Sequence, residues 1–263
     1  QGASVMQAEL EASFKALTCG EPGGELEAAL LVARWLDADF SSEQVKTQLA
    51  ELGARCGAQK PWEYLGSLGF AGDRDRYDAP DNSHIARVLE RRAGIPISLS
   101  IVVIEVARRS GLAAVGINFP GHFLVRVDDR LVDPFAMTLA DPTALVAKLP
   151  EPQRHRAAGE LFAAADAPTI AFRMLNNLKY SFLRRGAWHR AVEALDGQIA
   201  ILPDYPTMYA ERGELWQRLG NQACARSDFE AGLERAEELN AAVLAKDLKQ
   251  RLSDLPAEPT VVH

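Results

Sequence analysis

Residues 94–112 read GIPISLSIVVIEVARRSGL, and this stretch decides the fold. Pro96 suits the first turn of a helix, where its missing N–H is not needed. From Ile97 to Val106 nearly every residue is apolar. Periodicity alone does not separate a buried helix from a buried strand in such a run. The polar end, Glu105 with Arg108 and Arg109, and the closing Gly111 favour a helix to Ser110 with a glycine C-cap. A helix apolar on all sides must be central, with neighbours packed around it. The chain has 263 residues, 48% of them hydrophobic and 25% charged, enough for such a core without disulfides.

Downstream the pattern turns strand-like. Ala113–Phe119 forms one run and Pro120-Gly121 a turn. His122–Val127 forms a second run, Asp128-Asp129 a tight turn, and Arg130–Val132 a return strand ended by Asp133-Pro134. A buried helix followed by an antiparallel meander predicts an α+β core. Residues 142–152 and 154–168 read as a crossover and a linker. Upstream, helices are expected from Met6 through Leu10, Phe14 and Leu17, then over 25–36, then from a capping box at Ser41-Ser42-Glu43-Gln44 to Gly53–Gly57. Gly20–Gly24 supplies the first break. A loop-rich segment, 61–83, leads into a short helix over 84–92.

The last ninety residues contain a repeat. A shift of 34 aligns Phe182 with Trp216, Gly186 with Gly220, Ala191 with Ala225 and Leu195 with Phe229. That is the tetratricopeptide period, and the glycine–small pairs are expected to let antiparallel helices approach closely. A final helix over 241–252 caps the stack, with a frayed tail beyond it. The domains expected are 6–168 and 169–253.

A net charge of −7 argues against nucleic-acid binding. No apolar run is long enough to span a bilayer, and the start carries no signal-peptide pattern, so a cytoplasmic protein is expected. Residues 1–5, ahead of Met6, are read as foreign to the native chain. Cys19, Cys56 and Cys224 lie far apart, in no metal-ligand spacing, which fits reduced thiols. No metal or cofactor is expected.

His122 and Asp133 are the sharpest candidate pair. A hairpin brings them to one end of the sheet, where a carboxylate orients an imidazole for general-base work. The plainer alternative is a strand histidine and an aspartate before a turn. The central helix start, the natural place for a nucleophile, offers only Ser98 and Ser100. Serine hydroxyls there also bond backbone carbonyls. Arg87, Arg91, Arg92, Arg108 and Arg109 form a basic cluster that could meet an acidic partner or remain a solvated face.

GIPISLSIVVIEVARRSGL, then GINFPGHFLVR (116–126) and LVDPF (131–135), resemble the SirB1 family, as does the lead-in LGFAGDRDRYDAPDNSHIARVLERRAG (68–94). The resemblance implies a transglutaminase-like, papain-related core joined to tetratricopeptide repeats. It puts His122 on the triad histidine of the broader fold and Asp133 on the aspartate. The cysteine position falls on Pro96, with Ser98 nearby, and proline is no nucleophile. The expected function is a non-catalytic transglutaminase-like scaffold that binds protein or peptide through its repeats. The alternative is an acyl-transfer or peptidase-type hydrolase using Ser98 or Ser100 with His122 and Asp133.

Overall fold

The computed structural model describes residues 2–17 and 24–256. Cys19, most of the expected Gly20–Gly24 break and the tail from residue 257 lie outside the described residues. Helices α1 (Gly2–Lys15), α2 (Glu25–Leu36), α3 (Ser42–Cys56) and α4 (Pro61–Ser67) come first. A 3-10 turn, Pro80–Ser83, precedes α5 (Ile85–Arg91) and α6 (Pro96–Arg109). Strands β1 (Ala71–Gly72) and β2 (Ala93–Gly94) form a two-residue parallel pair. Then come β3 (Ala114–Ile117), β4 (Leu124–Val127), β5 (Arg130–Asp133) and β6 (Thr138–Leu139), an antiparallel meander in that order. Helices α7 (Pro142–Ala147), α8 (Glu151–Arg154), α9 (Ala158–Leu161), α10 (Ala167–Arg184), α11 (Trp188–Ile201), α12 (Pro206–Arg218), α13 (Gln222–Glu238) and α14 (Ala242–Asp254) complete the chain.

The expected α+β class with a helical C-terminal region is what the structure has. Two compact units emerge. One comprises residues 16–177; the other joins 1–15 to 178–263. The sequence boundary near residue 168 falls in the first turn of α10, which is one continuous helix, and the units part ten residues later. Helix α1 packs on α11 within the second unit, with Leu10 and Phe14 buried, so it groups with the C-terminal helices rather than with 16–177.

In the 16–177 unit α6 is central. Every residue from Ile97 to Ala107 is buried, and α2, α3, α4, α5, β3 and β4 pack around it. Gly94 permits the tight entry, since a Cβ there would stand 2.7 Å from Ser98 Oγ and 3.2 Å from Val88. Glu25 at the start of α2 is wholly buried. Arg108 near the end of α6 reaches it through Nη1 at 2.9 Å and Nη2 at 3.1 Å. Gly116 N–H donates to the same carboxylate, and Arg108 Nε donates to Ala114 O, so one ion pair ties α2, α6 and β3.

Several local expectations need correction. Ser41 precedes α3 without a side-chain capping bond, because its hydroxyl does not reach the helix N–H groups. Segment 142–161 is not bare linker. Its short helices bury Leu149 and Leu161 with Ile117, Phe119 and Leu124 of the sheet region. His122 does not open a strand. Its N–H closes the Pro120-Gly121 turn onto Phe119 O, and the ladder starts at Leu124.

In the second unit the 34-residue offset is visible as geometry. Gly186 and Gly220 both have positive φ. Ala187 N–H bonds Phe182 O, and 34 residues later Asn221 N–H bonds Trp216 O. These glycines cap helices, with open space about them, and do not mediate close packing. The close approach lies at Gly213 in α12, where a Cβ would meet the Phe229 ring at 2.4 Å. Arg212 is bidentate to Asp228 at 2.9 and 2.6 Å and bonds Asp196 at 2.6 Å, linking α11, α12 and α13. Burial outweighs the guanidinium at Asp196 and pushes its carboxyl up to about 6.

Arg108→Met strands a buried carboxylate, so denaturant unfolding of the 16–177 unit is expected to lose roughly 3 kcal/mol. A loss under about 0.5 kcal/mol, the level of an ordinary surface change, contradicts a structural role for the pair.

Candidate functional site

The start of α6 is built from local sequence. Ile95 is the extended N-cap residue and Pro96 fills the first helical position. Ser98 Oγ accepts Ile95 N–H at 3.2 Å and stands 3.1 Å from Ile95 O, to which it donates. Ser100 Oγ donates to Pro96 O at 2.7 Å. Both serines are fully buried. Their hydroxyls satisfy the helix's own backbone groups, the role serine takes at helix starts and in i−4 back-bonding.

His122 is exposed, its ring 6.2 Å from that of Phe119. Its carbonyl accepts from Arg173 Nη1 at 3.1 Å. Asp133 ends β5. Its Oδ1 accepts the N–H groups of Phe135 at 2.9 Å and Ala136 at 3.4 Å, organising the turn over Pro134. Pairing of Val125 with Val132 sets the register, so Asp133 falls level with Leu124 and His122 lies two residues further out. Among the described residues no hydrogen bond joins His122 to Asp133, or either of them to Ser98 or Ser100. The hairpin thus brings histidine and aspartate to one end of the sheet without coupling them.

The two described thiols stand elsewhere in the fold. Cys56 ends α3 and is buried, with Sγ 3.5 Å from Gln59 O; Cys224 lies in α13 of the other unit. The arginine cluster resolves into separate bonds. Arg87 pairs with Glu90, Arg91 with Asp73, Arg108 with Glu25 and Arg109 with Glu105, while Arg92 donates to Leu68 O. Among the described residues no three His, Cys, Asp or Glu side chains converge as a metal would need. No helix among them is long and apolar enough to cross a membrane.

Sequence reasoning missed what surrounds the His122 turn. The loop over 73–83 is rigid, because buried Asn82 donates to Arg76 O at 2.6 Å and Tyr77 O at 3.3 Å, and accepts from Arg91 at 2.9 Å. Burial raises the Asp73 carboxyl, but the Arg76 N–H, Arg91 and Asn82 outweigh it and hold the group below its ordinary value. This loop presents Tyr77, whose ring lies 5.9 Å from Phe135, with Arg74 over the other aromatic at 5.2 Å. Burial pushes the Tyr77 phenol up, against the pull of Arg173. Arg173 comes from α10, and no local pattern links it to His122, 51 residues earlier.

A family model for the transglutaminase-like superfamily matches residues 39–176, just over half the chain. The chain belongs to that superfamily. A UPF0162 protein of Xylella fastidiosa (strain 9a5c) is 34% identical over 230 residues, 78% of this chain and 81% of the relative. A UPF0162 protein of Pseudomonas aeruginosa is 29% identical over 257 residues, 91% of this chain and 93% of the relative. Protein SirB1 of Salmonella typhimurium is 24% identical over 184 residues, 66% of this chain and 68% of the relative, in keeping with the sequence resemblance. No solved structure matches the chain.

The transglutaminase-like domain also holds a buried histidine. His84 is the N-cap residue of α5; among the described residues neither ring nitrogen has a hydrogen-bond partner, and the ring stands edge-on to Phe40 at 5.3 Å. Burial depresses its pKa below the ordinary 6.5; Asp37 and Asp81 pull it up and Arg87 pulls it down. The unfolded chain therefore takes up this proton first on acidification, so the domain's stability is fullest above pH 6.5 and falls below it. His84→Phe keeps the ring contact and should flatten the fall in stability below pH 6.5, measured by urea unfolding. An unchanged curve contradicts the assignment.

Proposed function

We propose that this is a non-catalytic transglutaminase-like protein that acts as a protein-interaction scaffold. The observation that carries the reading is the start of α6. Pro96 stands where the resemblance puts a nucleophilic cysteine, and the neighbouring Ser98 and Ser100 hydroxyls are buried and bonded to backbone. Members of a catalytic unit act together, so loss of one removes most of the rate. Asp133 spends Oδ1 on its own turn, and exposed His122 is held through its main chain.

The scaffold role rests on the second unit, whose helices we read as tetratricopeptide-type repeats. Support comes from a cleft of ≈ 400 Å³ lined by Lys179, Tyr180, Trp188, Leu215 and Arg218 among others. Arg218 stands over Trp188 at 5.2 Å and Lys179 over Tyr180 at 4.9 Å, while Lys179 also pairs with Glu211. Aromatic floors flanked by cations are the residue types that dominate interface energetics. A protein or peptide segment is the occupant this groove suits.

Two experiments test the reading. Ammonia release from glutamine-containing peptides and ester hydrolysis should not exceed the level of His122→Ala. Turnover lost in that variant with an unchanged melting temperature contradicts the non-catalytic half and favours the serine-based hydrolase. For the scaffold half, a photo-crosslinking side chain at Tyr180, introduced in the native host, should yield a discrete protein adduct that Arg218→Glu removes. No adduct, or one indifferent to Arg218→Glu, contradicts it.

A further inference from the structure

The 16–177 unit contains a second cleft, beside the Pro120-Gly121 turn and distinct from the α6 start. Its volume is ≈ 400 Å³, within the range of small-ligand pockets. Phe119 and Ala163–Ala165 give it apolar wall, and Asn118, Thr169 and Arg173 give it polar edge.

Arg173 is the unusual member. Arg91, Arg108 and Arg212, comparably buried, each pair with a carboxylate. Among the described residues Arg173 has none. Its hydrogen bonds all leave from Nη1, to Asn118 Oδ1, to Phe119 O at 3.5 Å and to His122 O at 3.1 Å, and its guanidinium lies 5.3 Å from the Phe123 ring centre. Among the described residues the Nε–Nη2 edge has no acceptor. Burial depresses its pKa, with only the Tyr77 phenol opposing that shift. A desolvated charge without a partner is costly and is normally paired, and the free guanidinium edge is a two-donor fork that matches an oxyanion bidentately.

We propose that this cleft binds a monoanionic carboxylate on a short apolar body, clamped by the Nε–Nη2 edge of Arg173. The two acidic side chains in the lining set the charge of the ligand. Glu160 is paired with Arg156 at 3.3 Å, and Asp166 caps α10 by accepting Thr169 N–H at 3.0 Å. Two carboxyl groups beside the cleft repel a phosphate dianion more than a singly charged carboxylate. The apolar wall of Phe119 and the three alanines takes the aliphatic part. The proposal does not depend on the scaffold reading, since it needs neither the repeats nor the absence of a nucleophile.

The test is a proton–nitrogen NMR titration of the full chain with acetate, butyrate and hexanoate, and with inorganic phosphate at matched ionic strength. Butyrate and hexanoate should give saturable shifts at the Gly121, Ala163–Ala165 and Thr169 amides, tighter than acetate, and phosphate should give none. Arg173→Gln should abolish the shifts. Arg173→Lys keeps the charge and removes the fork, and should weaken binding about tenfold; it also serves if the glutamine variant does not fold. No saturable shift with any of the three acids overturns the proposal, as does binding unchanged in Arg173→Lys. Phosphate binding as tight as butyrate overturns the carboxylate assignment.

Discussion

Helix α6 buries every residue from Ile97 to Ala107, and that constraint propagates through the 16–177 unit. A helix without a wet face needs partners on all sides, which is why four helices and four strands gather on it. Its ends must satisfy their backbone groups with protein rather than water. At the start Pro96 has no N–H to satisfy, and Ser98 Oγ accepts the Ile95 N–H. Near the end Arg108 answers the buried Glu25 and closes α2 and β3 onto the same helix. The same solution occupies the Ser98 and Ser100 hydroxyls, which bond the backbone of residues 95 and 96.

The same logic separates the two acidic–basic arrangements of the molecule. Glu25 with Arg108 and Asp228 with Arg212 are buried, bidentate and structural. Asp133 accepts from backbone and stabilises a turn. His122 projects from a turn fastened by Arg173, so the histidine is displayed rather than enclosed. A general base needs a fixed imidazole beside a nucleophile, and neither condition is met by these contacts.

Much of the fold was legible because its signals are local. The range 25–36 of α2, the body of α6 and the runs behind β3, β4 and β5 follow from apolar pattern, a helix-start proline and turn residues. What was not legible depends on distant partners. Strands β1 and β2 are two residues each and exist through Ala71 pairing with Ala93. Helices α7–α9 are too short to show periodicity. The Glu25–Arg108 pair spans 83 residues, and Arg173 reaches the His122 turn across 51. The candidate His122 and Asp133 were read from motif and hairpin logic, but sequence cannot tell that Oδ1 of the aspartate turns back to its own backbone. The 34-residue spacing of the helix ends at Gly186 and Gly220 was legible, whereas the close approach fell to Gly213 because its register against Phe229 is a property of packing.

The most direct test of the central claim, that the α6 start offers no nucleophile, is intact-protein mass spectrometry after incubation with a fluorophosphonate. The account predicts unmodified protein, with Ser98 and Ser100 intact in the peptide map. An adduct on either serine, lost in His122→Ala while the fold persists, contradicts it.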